Sequence, residues 1–181
     1  MLDDRIVVLK LADAVRVKSS GKLTPEQSAN VAYLLVNLSN QYRPEGLSLS
    51  LVLGLIEVES RFDPTAVSSA KAYGLTQTLL STSRPYLTAL GVPATKESLL
   101  SPEISVKVGV AYLIDLHRTY RESGLEDREE WHLSVDSYFW GEGNVRESLA
   151  SASSSRTGFA SRSYWAKVRQ AQNSWRALGF Q

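Results

Sequence analysis

Residues 49–77 read LSLVLGLIEVESRFDPTAVSSAKAYGLTQ. Leu49, Leu51, Val52, Leu53, Leu55, Ile56 and Val58 surround a helix over 49–60 almost completely, which predicts a helix buried on all sides. Ser48 is placed to cap its start and Pro64 to stop it. A strand fails on the length of the run and on the lack of flanking hairpin turns. The apolar run ends in the polar pair Glu59-Ser60, then breaks at Phe62-Asp63-Pro64 and continues through small residues to Gly74-Leu75-Thr76-Gln77. A carboxylate at the end of a buried helix is badly placed for solubility. It is well placed for acid chemistry, because burial disfavours the charged form and raises the pKa. In isolation Glu59 reads more simply as a surface carboxylate or a partner of Arg61. Glu57 lies about 200° around the helix from Glu59 and does not share its face.

Working outward, helices are expected on both sides. Residues 2–18 form a short amphipathic helix. Thr24-Pro25-Glu26-Gln27 is a helix start, with Thr24 as N-cap, Pro25 at the first helical position and Gln27 reaching back. Val31, Leu35, Leu38 and Tyr42 then mark one helical face, closed by Pro44 and Gly46. A further helix is expected near 76–89. Ser101-Pro102-Glu103 opens another, with Ile104, Val108, Tyr112 and Leu116 in a four-residue stripe. Gly124 interrupts, residues 129–139 read as helical, and Gly141-Glu142-Gly143 reads as a turn. The serine-rich stretch from Ser148 to Ser155 reads as a mobile surface loop. Tyr164, Val168, Ala171, Trp175 and Leu178 mark a C-terminal amphipathic helix. The expected fold is all-α, six to eight helices around the buried central one. The chain reads as one domain over 1–181: an N-terminal helical extension (1–25), a core (26–145), then the serine-rich loop and last helix (146–181).

Composition narrows the function. The 181 residues suit a single domain with a real core. A net charge of +1 gives no electrostatic footprint for nucleic acid. The absence of cysteine excludes disulfides, thiolate metal sites and cysteine nucleophiles, and leaves the redox compartment open. His117 and His132 have no partner at ligand spacing, so neither a metal nor a cofactor is expected. No apolar run reaches the length of a membrane span. The first twenty residues make a poor signal peptide, because Asp3 and Asp4 stand in the positive region and Lys10 and Asp13 interrupt the apolar stretch.

Three segments carry a resemblance. Glu59-Ser60-x-Phe62-x-Pro64-x-Ala66-x-Ser68-x-Ala70-x-Ala72-x-Gly74-Leu75-x-Gln77 is followed by Ile104-x-x-x-x-Gly109-x-x-Tyr112-Leu113 and Tyr138-x-x-Gly141-x-Gly143. In order and spacing they resemble the soluble lytic transglycosylase family, whose fold is like that of goose-type lysozyme, over roughly residues 30–145. The resemblance implies cleavage of the β-1,4 bond between N-acetylmuramic acid and N-acetylglucosamine in peptidoglycan, with a 1,6-anhydromuramyl end formed. It implies Glu59 as the single general acid/base. A carboxylate nucleophile is not needed where the substrate's own N-acetyl group assists. It further implies Ser68 near the acid and the muramyl group, Gly74 and Gln77 lining the glycan cleft, and Tyr138 holding Glu59 in orientation. Peptidoglycan strands are the implied partner and the periplasm or cell envelope the implied place, with cell-envelope machinery or a phage particle as further partners.

The departures from the pattern point to an altered cleft. Thr76 stands where the family has Met, Thr78-Leu79 where a Met-Pro pair follows the Gln, and Lys71 where a Gly is usual. Phe139, followed by Trp140, replaces the Asn of A-Y-N-x-G. Trp140 reads evenly as a sugar platform or as packing. Two other functions therefore stay open. A lysozyme-like hydrolase needs a second carboxylate, with Asp63, Asp136 and Glu142 available. A non-catalytic peptidoglycan-binding protein could use the same scaffold.

Overall fold

The computed structural model describes residues 4–122, 127–151 and 162–181. The central helix, α3 (Leu49–Ser60), forms as expected. Ser48 caps it by accepting from the Leu51 N–H, and Leu49 to Ile56 are all buried. It packs against the C-terminal α9 (Arg162–Ala177) and α2 (Pro25–Gln41), and α1 (Asp4–Lys18) reaches it through the Lys18–Glu57 ion pair. Helix α2 starts in the full capping box between Thr24 and Gln27. Helix α1 lies along α2 and adds Leu11 and Val15 to the main core.

The most extensive packing among the described residues is α3 against α9. Gly54 makes it possible: a Cβ there would lie 2.8 Å from the Gln172 amide nitrogen and 2.9 Å from the Val168 carbonyl oxygen. At the end of α3 the chain turns through two non-glycine residues in the left-handed region, Arg61 (φ 53°) and Phe62 (φ 59°). Such conformations persist only where packing over-determines them. Here the Phe62 ring is fully buried, edge-on to Trp175 of α9 at 5.7 Å. Asp63 completes the turn by accepting from the Thr65 N–H and hydroxyl, and it pairs with Lys22.

Beyond the turn, the expectation of a purely helical chain needs one amendment. A two-stranded antiparallel hairpin, β1 (Ala72–Tyr73) and β2 (Thr78–Leu79), carries Gly74 to Gln77 across its end. Helix α4 (Leu80–Ala89) therefore begins later than the expected 76, because Gln77 (φ 48°) and the hairpin pairing occupy that stretch. After α5 (Lys96–Leu100), the long α6 (Pro102–Arg121) packs on α2, α4 and α7 (Asp127–Trp140). Helix α6 faces the main core with Val106, Val110, Leu113, Ile114 and Leu116, whereas Ile104 packs with Leu87, Leu99 and Val108 in a smaller cluster.

Gly141 (φ 85°) breaks α7 from α8 (Glu142–Ser151), so Glu142 and Gly143 begin a helix rather than forming a turn. Part of the serine-rich stretch, 148–151, is the end of α8. The rest of it, and the expected break at Gly124, lie outside the described residues. No helix among the described residues is long and apolar enough to cross a membrane.

Candidate active site

One cleft of about 520 Å³ opens between the end of α3, the hairpin, α6 and the end of α7. Glu59 lies in it together with Ser68, Gln77, Tyr138, Phe139 and Trp140. Among the described residues Glu59 is the one carboxylate lining the cleft. Burial raises its pKa from the ordinary 4.5 to about 7, against a hydrogen bond from the Tyr164 hydroxyl that lowers it. The last turn of α3 adds to the effect of burial, since the negative end of a helix dipole disfavours a carboxylate. The group is thus partly protonated at neutral pH, as a proton donor requires.

The frame around Glu59 is tied together by hydrogen bonds. Ser60 donates to the Leu75 carbonyl at 2.7 Å and so ties the end of α3 to the hairpin. Ser68 faces the cleft while accepting from the Ala72 N–H at 3.0 Å. Gln77 also faces the cleft, but its amide nitrogen is directed inward, to the Ala66 and Gly74 carbonyls at 3.0 and 2.9 Å. That leaves the amide oxygen as the group Gln77 can offer a ligand.

Two expectations are corrected. Gly74 does not line the cleft; it lies behind the wall, where a Cβ would come within 2.0 Å of the Leu99 carbonyl oxygen. The glycine serves close backbone packing at positive φ (75°), not ligand approach. Tyr138 lines the cleft, but its hydroxyl donates to the Thr76 carbonyl at 2.8 Å rather than to Glu59. Burial and the nearby Glu59 charge push its pKa well up, so it stays a neutral donor.

The hydroxyl on Glu59 Oε1 comes from Tyr164 of α9, 105 positions along the chain. Sequence reasoning placed Tyr164 only on the core face of an amphipathic helix. The available signal was chemical: a tyrosine on a buried stripe must find a partner for its hydroxyl. Phe139, which replaces the family's Asn, lies flat on the Tyr164 ring at 4.3 Å and 19°. It is 51% exposed, and Trp140, 39% exposed, stands edge-on to it at 4.9 Å.

The Met-to-Thr departure does not alter the cleft wall as expected. Thr76 is buried, its hydroxyl within 2.8 Å of the Ser105 carbonyl and its side chain against Gly109. The three carboxylates considered as a second acid are engaged elsewhere. Asp63 holds its turn and Lys22, buried Asp136 faces His132 at 3.1 Å, and Glu142 pairs with Arg146 at 2.8 Å. Glu57 pairs with Lys18 of α1, on a different face from Glu59. His117 is buried, stacked on Trp131 and 3.3 Å from Glu130. Among the described residues no three histidines and carboxylates gather as a metal site.

Comparison with known proteins meets this geometry. The model of the transglycosylase SLT domain matches residues 37–158. The membrane-bound lytic murein transglycosylase C of Glaesserella parasuis is 31% identical over 115 residues, 62% of this chain and 31% of that protein. The protein of the same name from Yersinia pestis is 33% identical over 104 residues, 55% of this chain and 29% of that protein. The chain thus spans about a third of the length of these curated relatives. The crystal structure of the 70 kDa soluble lytic transglycosylase of Escherichia coli superposes with a TM-score of 0.63 at 20% identity, covering 93% of this chain and 30% of that one. That likeness shows a shared lysozyme-like helical fold. With a matched family model over most of its core and a protonatable glutamate at the end of the central helix, the chain belongs to the transglycosylase SLT domain family.

Proposed function

We propose that this chain is a peptidoglycan lytic transglycosylase with Glu59 as its single general acid/base. The observation that carries the reading is Glu59, the one carboxylate lining the cleft among the described residues, mostly buried and with a pKa near 7. Relatives named as lytic murein transglycosylases support the substrate class.

The chemistry needs no second carboxylate. Glu59, protonated, gives its proton to the glycosidic oxygen as the bond from C1 of the muramyl sugar to that oxygen breaks. The carbonyl oxygen of the same sugar's N-acetyl group meets the positive charge at C1. The Glu59 carboxylate then takes the proton from the C6 hydroxyl as O6 bonds to C1. The proton lost in the first step returns in the second, no water is consumed, and a 1,6-anhydro end results. Tyr164 occupies Oε1, which leaves Oε2 to carry the proton. Ser68, the Gln77 amide oxygen and Trp140 are the groups we assign to the sugar, with Tyr138 holding the hairpin behind them.

The domain reading goes with this: residues 26–145 as the catalytic core, with α9 bracing α3 and α1 lying along α2 from outside it. The cell envelope is the place where such an activity has its substrate. The test is digestion of purified sacculi with mass spectrometry of the products. Anhydromuramyl ends are expected. Reducing ends alone would replace the reading by a hydrolase, and binding without products would replace it by a glycan-binding protein.

A further inference from the structure

We propose that Phe139 is a positioning residue: by lying flat on the ring of Tyr164 it keeps the tyrosine hydroxyl on Glu59. This rests on the reading of Glu59 as the acid. The geometry is a three-part relay. Glu59 comes from α3, Tyr164 from α9 and Phe139 from the last turn of α7. Tyr164 is 5% exposed, its hydroxyl on Glu59 Oε1, and the Phe139 ring covers it at 4.3 Å and 19°. The tilt of a buried tyrosine ring is set by its rotamer, by the hydrogen bond of its hydroxyl and by the surfaces packed on its faces. Here one of those surfaces is an aromatic ring that is itself half open to the cleft.

An exposed phenylalanine in a cleft invites a simpler account, in which it merely stacks on sugar. The two accounts differ in what they touch. A sugar platform acts on substrate affinity. A clamp on Tyr164 acts on the acid even with no substrate present. The titratable groups around the relay are few: Tyr138 of α7 faces Glu59, and Asp136 of α7 bears on Tyr164. On α3 itself Glu57 is turned away to Lys18. Removing Phe139 changes none of these charges, so a rise in the Glu59 pKa reports on Tyr164, whereas a fall reports water admitted to the cleft.

The experiment is an NMR titration of the Glu59 side-chain carboxyl in the free protein, for the wild type, Phe139→Leu, Tyr164→Phe, the double variant and Phe139→Tyr. Tyr164→Phe removes a donor to the charged form and raises the pKa. Phe139→Leu, which keeps apolar bulk but loses the flat face, is expected to raise it as well, by at least about 0.3 units. The double variant is expected to match Tyr164→Phe alone, since two members of one relay are not additive. Phe139→Tyr is expected to restore the wild-type value. Three results overturn the proposal: an unchanged pKa in Phe139→Leu, a lowered one (the ring then acts by excluding water), or additive shifts. The titration needs no turnover, so it fails independently of the transglycosylase reading. If turnover is present, kcat is expected to fall several-fold with KM little changed. A KM effect with the pKa unmoved makes Phe139 a sugar platform instead.

Discussion

Gly54→Ala tests the packing that brings Glu59 and Tyr164 together. The added methyl would meet the Gln172 nitrogen at 2.8 Å and the Val168 oxygen at 2.9 Å, both main-chain atoms of α9 that cannot rotate aside. Ordinary contact begins near 3.4 Å, so α9 must retreat by about half an ångström. Overpacking of this kind costs about 1–3 kcal/mol. Alanine recovers up to about 1 kcal/mol over glycine in helix propensity. Contacts under 3.0 Å with main-chain atoms place the cost in the upper part of that range, so the net is a destabilisation of about 1–2 kcal/mol, or a Tm lower by roughly 2–8 °C in a domain of this size. Thermal unfolding followed by circular dichroism measures it. Because the acid and its tyrosine sit on the two helices forced apart, turnover well below Tm is expected to fall too. An unchanged or raised Tm would mean that propensity outweighs contact, and that α3 and α9 do not approach as closely as described.

Three further outcomes follow from the same site. Turnover should decline as pH rises through about 7, because the donor form of Glu59 is lost there; a rate flat to pH 9 contradicts the assignment of its pKa. The same group links stability to pH. Unfolded, Glu59 loses its proton near 4.5; folded, near 7, so between these values the folded state holds the extra proton. Its contribution is full below pH 4.5 and lost by about pH 8. Glu59→Gln, which cannot ionise, should therefore gain on the wild type by about 3 kcal/mol over that interval in urea unfolding, and a constant difference across pH would refute this. Thr76→Met, which restores the residue usual in the family, should destabilise by about 1–3 kcal/mol, since the site is closed by Gly109 and Ser105; a neutral result in the same unfolding assay would place Thr76 at the cleft after all.

The parts of this site that sequence made legible are those governed by local rules. A helix apolar all round can only be central, and Ser48, Thr24 and Gln27 cap where short-range hydrogen bonding says they should. The motif from Glu59 to Gln77 was readable because its members lie close in sequence. What it hid was direction. The resemblance implies Gly74 and Gln77 facing a ligand, yet Gly74 closes backbone on backbone, and Gln77 faces the cleft while its amide nitrogen ties the hairpin. The hairpin itself was invisible, because two-residue strands leave no alternating pattern to count. Tyr164 was hidden by distance in sequence: nothing local links it to Glu59. Gly54 carries its own signal: a glycine in a helix otherwise rich in large apolar residues marks where another helix's main chain approaches.

The central claim is that one carboxyl, Glu59, both gives and takes the proton. The most direct measurement is the release of anhydromuropeptides from sacculi by Glu59→Gln beside the wild type, with the variant's fold verified by its unfolding curve. Loss of product by at least about a thousandfold with folding and sacculus binding intact is the predicted result. Turnover retained within about tenfold of the wild type would contradict it, and would require the acid to be sought elsewhere in the cleft.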